Sequence, residues 1–409
     1  MQSEWQEKSL GELVSLQRGY DLPSHMRVAG EVPVAGSAGI SGFHNRSNVR
    51  GPGVVIGRSG VGSMGVVSFI DRDFWALNTT LFVTDFKGND ERFIYYLLKS
   101  INFRQFDTGS AQASLNRNLV YPFRVLVPGT VEEQRALASV LATIERRIEL
   151  LQQTNGVLES IAQALFKSWF IDFDPVRAKA DGREPEGMDL ATAALFPAEF
   201  EESAVGLIPK GWRIGRLGDV LKQRVERTKP SAQTAVLPYV PIECISSKSA
   251  FLREFLPGEQ AQSSLTLFRS GDVLFGAMRP YFHKVCLAPF DGVTRTTAFT
   301  LQPRAWQRAF ALLAAFHEST IEYATNHSEG STIPYAKWSG SLESKALVIP
   351  PLKIAAAFDD VVVPLLDAGM HNTERTRSLA EARDSLLPRL ISGKLRLPEA
   401  EAKLEEAAE

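Results

Sequence analysis

The stretch VEEQRALASVLATIERRIELLQQTNGVLESIAQALFKSWF, residues 131–170, decides the architecture. Its seam residues, Leu137, Leu141, Ile144, Ile148, Leu151, Asn155, Leu158, Ala162, Leu165 and Trp169, recur in steps of four and three, all but Asn155 apolar. That is a heptad seam held over roughly four and a half heptads, the pattern of a helix that packs along another helix. Thr130 followed by Glu133 forms a capping box at its start. At ~1.5 Å of rise per residue the helix is about 60 Å long. A stripe of that length exceeds what one small globule can cover, so a second long helix is expected.

Adding 221 to these positions finds it: Phe358, Val362, Leu365, Gly369, Asn372, Thr376, Leu379, Arg383, Leu386 and Leu390. The ends of this second seam are apolar and its middle is polar. Pro351 suits a first helical turn and Gly393 a helix end, whereas Pro364 is expected to kink the helix or delay its start. Asn155, facing Asn372 or Thr376 in an antiparallel or parallel pairing, would fix the register.

The repetition extends beyond the helices. Trp5 with Leu10-Gly11-Glu12 recurs as Trp212 with Leu217-Gly218-Asp219, a shift of 207. GVVIGRSG at Gly53 resembles GDVLFGAM at Gly271 with a shift of 218, and Thr79-Thr80-Leu81-Phe82 resembles Thr296-Thr297-Ala298-Phe299 with a shift of 217. Gly109-Ser110 matches Gly330-Ser331 at 221, and VLVP ending at Pro128 matches LVIP ending at Pro350 at 222. A shift that grows slowly is what small loop insertions into a second copy produce. Each copy holds short β-branched and aromatic runs between Gly, Asn and Asp, interrupted by a helical segment at 92–103 or 305–325. The expected fold is α/β: mixed globules at 1–128 and 211–350, and long helices at 129–173 and 351–393 that pair as a coiled coil. A linker with short turns is expected at 174–210, and an acidic tail at 394–409.

Composition narrows the function. The net charge is −2, and residues 399–409 carry five Glu against one Lys, so any surface for a polyanion is a local patch. The chain has two cysteines, Cys244 and Cys286, in strand-like apolar surroundings; with no secretory signal at its start, this points to a reducing compartment. No apolar run is long enough to span a membrane. GVGSMG at 60–65 spells a dinucleotide-binding pattern, yet VVSFIDRDFWALNTTLFV continues as strand where a phosphate-binding helix should open, so a glycine-rich β-turn is expected. There is no Walker loop, no N-P-P-[FY] run for a flipped base, and no metal-ligand spacing among the six His. Asp359-Asp360 and Asp172 with Asp174 read as structural acids. No catalytic constellation and no metal site are present, and no cofactor is expected in this chain.

The runs VLVPGTVEEQ, ALFKSWFIDFDPVRAK, LFPAEF, GLIPKGW and RDSLLPRLISGKL together resemble the specificity subunit of type I restriction-modification enzymes across nearly the whole chain. The resemblance implies a non-catalytic reader of double-stranded DNA, in which each globule is a target-recognition domain and the two long helices pair antiparallel as a spacer. It implies two copies of a modification subunit carrying S-adenosylmethionine and methylating adenine, and restriction subunits using ATP and Mg. A cytoplasmic location in a bacterium or archaeon follows. One departure stands out: EEQRALASVL after Pro128 has no clear Glu-Gln counterpart after Pro351, where LKIAAAFDD stands, leaving open whether two docking sites are equivalent. A stand-alone bipartite DNA-binding protein, a coiled-coil adaptor and an enzyme in its own right are the rival readings.

A bipartite reader needs polar and cationic loops that reach base edges and phosphates. In the first copy the candidates are Arg46, Arg58, Gln112, Asn116 and Arg117; in the second they are Arg279, Tyr281, Lys284, Tyr335 and Lys337. Met278, Pro280 and Phe282 beside them read as core. Off the helical seam, Phe166, Phe170 and Phe173 are expected to face the modification subunit.

Overall fold

The computed structural model describes residues 5–108, 113–304 and 307–400. The chain forms two compact units, one of 1–148 with 378–409, the other of 149–377. Among the described residues no helix is long and apolar enough to cross a membrane.

In the first unit the central sheet is antiparallel, in the order Ser15–Arg18, Thr80–Asp85, Gly53–Gly57, Val67–Ile70. Every residue of Gly53–Gly57 is buried, as expected of a strand covered on both faces. Val55, Ile70, Phe74, Ala76 and Phe82 form a core beneath a second sheet of Gly39–His44, Val32–Gly36 and Trp75–Ala76. Asp90 caps the helix Glu91–Lys99 by accepting the Phe93 amide at 2.9 Å.

The second unit repeats this topology with Leu221–Gln223, Ala298–Pro303, Val273–Gly276 and Val285–Leu287. Gln6 lies opposite Val127 in one copy and Arg213 opposite Ile349 in the other, which reproduces the shifts of 207 and 222. The central sheet corrects the motif matching by one residue. Arg58 N–H donates to the Thr79 carbonyl at 2.8 Å, and the equivalent bond runs from Ala277 to Thr297 at 2.9 Å. Arg58 therefore corresponds to Ala277 and Thr79 to Thr297, so the motif matches at 218 and 217 each fall one short. In a strand a slip of one turns every side chain to the other face.

Each long helix is continuous, Val131–Phe170 and Leu352–Ile391. Pro364 therefore does not delay the start of the second helix. It sits on an exposed face, where the Asp360 carbonyl that loses its donor is open to water. The pairing is antiparallel. In the second unit Asn155 Nδ2 donates to the Gly369 carbonyl at 2.9 Å and to Thr373 Oγ1 at 3.0 Å, and Asn372 Nδ2 donates to Asn155 Oδ1 at 3.0 Å. In the first unit Glu145 lies 3.9 Å from Arg383 and also receives Tyr96 Oη and Lys99 Nζ, tying both helices to the first globule. Leu137, Leu141, Ile144, Phe358, Val362, Leu379, Leu386 and Leu390 are buried, while Ile148, Leu151, Leu158 and Leu165 are half-buried. Leu366, not Leu365, is the buried residue of its turn.

Two segments depart from expectation. Residues 174–210 are not a linker: they form the helices Asp174–Ala180 and Leu190–Leu195 and a hairpin of Phe200–Ser203 with Gly206–Pro209. Val176 and Phe196 join the core of the second unit beside Trp212, and Ile208 is buried as well. The tail expected from 394 begins as packed chain, with Leu395 and Ala400 buried; 401–409 lie outside the described residues.

Candidate nucleic-acid interface

In the first recognition domain the strand ends at Arg18 and Gly57 and the turn before Asn116 meet around an open cleft of about 500 Å³. Arg18, Arg58 and Arg117 line it with Gln17, Ser114 and Asn116. Each guanidinium is anchored to the backbone through a single N–H. Arg18 Nε and Arg58 Nη1 donate to the Asn78 carbonyl at 3.3 and 3.2 Å, and Arg117 Nη1 donates to the Leu16 carbonyl at 2.8 Å. A guanidinium has five N–H donors, so most of them remain for a ligand. Among the described residues none of the three is ion-paired. Arg58, Asn116 and Arg117 are thus brought together, and Arg18, which motif matching passed over because it ends a strand, joins them. Asn116 also caps the next short helix by accepting the Asn118 amide at 3.0 Å. Arg46 is exposed in another loop, after Gly39–His44, and Gln112 lies outside the described residues.

The second recognition domain arranges its candidates differently. Met278 and Tyr335 form a backbone bridge, and Tyr335 Oη donates to the Thr296 carbonyl. Lys337 is exposed and ion-paired with Glu329 at 2.6 Å. Lys284 is not free to read DNA, because its ammonium donates to the Ile242 and Ile245 carbonyls at 2.8 and 2.7 Å, which satisfies two buried acceptors. Phe282, expected in the core, is 45% exposed beside Tyr281 at 48%. Their ring centroids lie 4.8 Å apart.

The phenylalanines expected to face a partner are core instead. Phe166, Phe170 and Phe173 are 2%, 3% and 8% exposed. They pack with Trp212, Phe310 and Phe358 in one aromatic cluster. Phe166 and Phe170 lie one turn apart on the helix and Phe173 follows its end in the left-handed region, and all three face this chain's own second globule. Leu150, Val157 and Ile161 are the large apolar residues that the same helix leaves exposed.

The missing Glu-Gln element also has an internal explanation. Gln134 is buried; its Oε1 accepts the Asp90 amide and its Nε2 donates to Asn89 Oδ1, each at 3.0 Å, at the start of Glu91–Lys99. On the second helix Asp359 does the corresponding work, accepting the Arg308 and Ala309 amides at 2.8 and 2.9 Å. Both contacts hold a helix to its own domain. Asp172 is likewise structural, accepting from Lys167 Nζ.

Chemistry of other kinds finds little support. GVGSMG is a turn leading into strand Val67–Ile70. Burial pushes the Cys286 thiol up to about 12 and raises Cys244 as well, which keeps both un-ionised.

Residues 2–160 match the model of the type I restriction modification DNA specificity domain. The chain is 26% identical over 330 residues to the type I restriction enzyme MjaIX specificity subunit of Methanocaldococcus jannaschii, covering 76% of this chain and 71% of that one. It is 27% identical over 319 residues to the HindI specificity subunit of Haemophilus influenzae, covering 64% and 67%. The crystal structure of a type I restriction-modification S subunit from M. genitalium shares the fold, with a TM-score of 0.60 at 14% identity over 95% of this chain and 96% of that one. A duplicated domain, two long antiparallel helices and these likenesses in sequence and fold agree: residues 2–160 match a type I restriction modification DNA specificity domain, and the chain as a whole is similar to the specificity subunits of type I restriction-modification systems.

Proposed function

We propose that this chain reads a bipartite double-stranded DNA target for a type I restriction-modification enzyme and catalyses nothing itself. Each recognition domain takes one half-site. The two long helices set the separation between the half-sites, whose intervening bases go unread. They also dock two copies of a modification subunit, through which restriction subunits join. S-adenosylmethionine, ATP and Mg belong to those partners, and the assembly works in the cytoplasm. The observation that carries the reading is the cleft of Arg18, Arg58 and Arg117, a local cationic site on a chain of net charge −2. Three guanidiniums without an ion pair among the described residues, each pinned to a carbonyl, suit base edges and phosphates rather than a neutral ligand.

The exposed Leu150, Val157 and Ile161 of the first long helix are the docking surface in this reading, replacing the buried phenylalanines. The test is to purify the chain with its modification subunit and map N6-methyladenine on substrate DNA. A two-part motif methylated by the complex and by neither component alone is the expected result. Duplex binding that does not weaken as salt rises would overturn it, since contacts to phosphates release counterions.

A further inference from the structure

We propose that the two recognition domains read their half-sites by different chemistry: the first by guanidinium hydrogen bonds to guanine, the second by an aromatic wedge of Tyr281 and Phe282. The inference rests on the DNA-reading function above and deepens it.

The hydrogen-bond ladders make the comparison residue by residue. Arg58 corresponds to Ala277, as its amide bond to Thr79 matches that of Ala277 to Thr297. Gln17 lies opposite Phe82 in the first sheet, and Arg224 N–H donates to the Thr300 carbonyl at the equivalent place, so Arg18 corresponds to Val225. Leu115 N–H donates to the Arg58 carbonyl and Ala336 N–H to the Ala277 carbonyl, both at 2.8 Å, and two residues further on stand Arg117 and Trp338. The three arginines of the first cleft are therefore replaced by valine, alanine and a buried indole that packs on Phe299. Arg224, the chain neighbour of Val225, is neutralised by Asp272 at 2.7 Å and Glu226 at 2.8 Å. One backbone acceptor shows the exchange directly. The Asn78 carbonyl holds Arg18 and Arg58, whereas its counterpart at Thr296 holds the Tyr335 hydroxyl.

What the second domain offers instead lies in the loop after Val273–Gly276, where the first domain has its glycine turn. Gly57 N–H closes that turn on the Val66 carbonyl at 2.8 Å, and Gly276 N–H closes the second loop on the Lys284 carbonyl at 2.7 Å. Arg279 and His283 flank Pro280–Phe282 in the left-handed region, each at φ 52°, a conformation that bulky residues adopt only when their surroundings impose it. The surroundings do so. Arg279 N–H donates to the Pro334 carbonyl at 2.7 Å, the buried His283 ring donates through Nε2 to the Phe316 carbonyl at 2.7 Å, and Lys284 is pinned as described. The loop is thereby rigid while Tyr281 and Phe282 stand out from it, with Ile333 exposed on the adjoining loop. Rigid apolar side chains of this kind enter between base steps and part them, favouring pyrimidine–purine steps that unstack easily. Arg279, whose side chain has no partner in the described structure, sits beside the wedge for a phosphate.

The experiment uses the complex of this chain with its modification subunit, acting on a randomised duplex library, with the methylated motif read by sequencing. R58Q/R117Q is expected to make one half-site degenerate at its guanines, by on the order of ten- to a hundred-fold in preference, and to leave the other half intact. Y281A/F282A is expected to relax only the other half. Since Gln at 117 could unsettle the Leu16 carbonyl, 7-deazaguanine in the first half-site with unaltered protein provides the same reading without a variant, and R117K restores part of the preference. 2-Aminopurine at the wedged step brightens on binding, and this signal is lost in Y281A/F282A. Arginine variants that lower methylation evenly over all sequences, or aromatic variants that leave both halves unchanged, overturn the division of chemistry. An unaltered complex that methylates no two-part motif overturns the DNA-reading function itself.

Discussion

Replacing Phe170 by alanine separates the two readings of the first helix's aromatic stripe. The ring is 3% exposed, and the rings of Phe310 and Phe358 stand nearly perpendicular to it, both with centroids 4.8 Å away. Truncating a buried phenylalanine costs about 3–5 kcal/mol in lost transfer energy and cavity. Each perpendicular ring adds roughly 0.5–1.5 kcal/mol beyond area alone, which places this site at the upper end, about 4–5 kcal/mol. For a unit of this size ~1 kcal/mol shifts Tm by about 2–4 °C, so a fall of roughly 10–15 °C is expected. Scanning calorimetry of the isolated chain measures it. An F170A chain that melts with the unaltered protein, yet fails to co-purify with the modification subunit, would refute the core assignment and return Phe170 to the docking surface.

Three further outcomes follow from single sites. Gly369→Ala tests packing against propensity: alanine favours a helix interior by about 1 kcal/mol, but its Cβ would lie 2.1 Å from Cζ of the fully buried Phe251. Overpacking at that distance dominates, and a net loss of about 2 kcal/mol in denaturant unfolding is expected. Burial raises the Glu159 carboxyl, which accepts the Ala250 amide, so the native state holds its proton more tightly than the unfolded chain. Stability from this group falls as pH rises from about 4 through the raised native value. Glu159→Gln keeps an acceptor for Ala250 and should flatten that part of an unfolding series between pH 4 and 8. Val157→Asp, at a helix position 58% exposed, should change stability by no more than about 0.5 kcal/mol while weakening co-purification with the modification subunit.

Much of this architecture is legible because it is periodic. The heptads at 131–170 and the strand and loop motifs repeated at shifts near 220 are local patterns, and they suffice for two copies with a long helix each. What the sequence hides is the direction in which a pattern faces. The spacing of Phe166, Phe170 and Phe173 reads as a helical stripe whichever surface covers it, and only the fold ends the helix at Phe170 and places Phe310 and Trp212 over the three rings. Segment 174–210 reads as turns because its anchors Val176, Phe196 and Ile208 are too widely spaced to show a period. The register of the central sheets is hidden for a related reason. Matching GVVIG to similar letters maximises chemical likeness, whereas the ladder is fixed by which amide meets which carbonyl, and here the two differ by one residue.

That one residue moves the asymmetry of the molecule. From sequence, the unequal feature is the second helix, with its proline and polar centre; in the structure both long helices are continuous over 40 residues and the buried Asn155 is hydrogen-bonded to the half-buried Asn372. The inequality lies at the ends of the sheet strands. Core positions such as Val55 and Leu274 are held by packing on both sides, so substitution there is costly and the two copies stay alike. The carbonyls of Asn78 and Thr296 belong to the backbone that the two copies share, but the side chains that donate to them stand at its margin, half-buried or exposed, and differ: two guanidiniums in one copy and a phenol in the other. A duplicated scaffold under that constraint keeps its frame and diverges at its strand ends, which under the proposed function lets one chain built from two copies recognise an asymmetric DNA target.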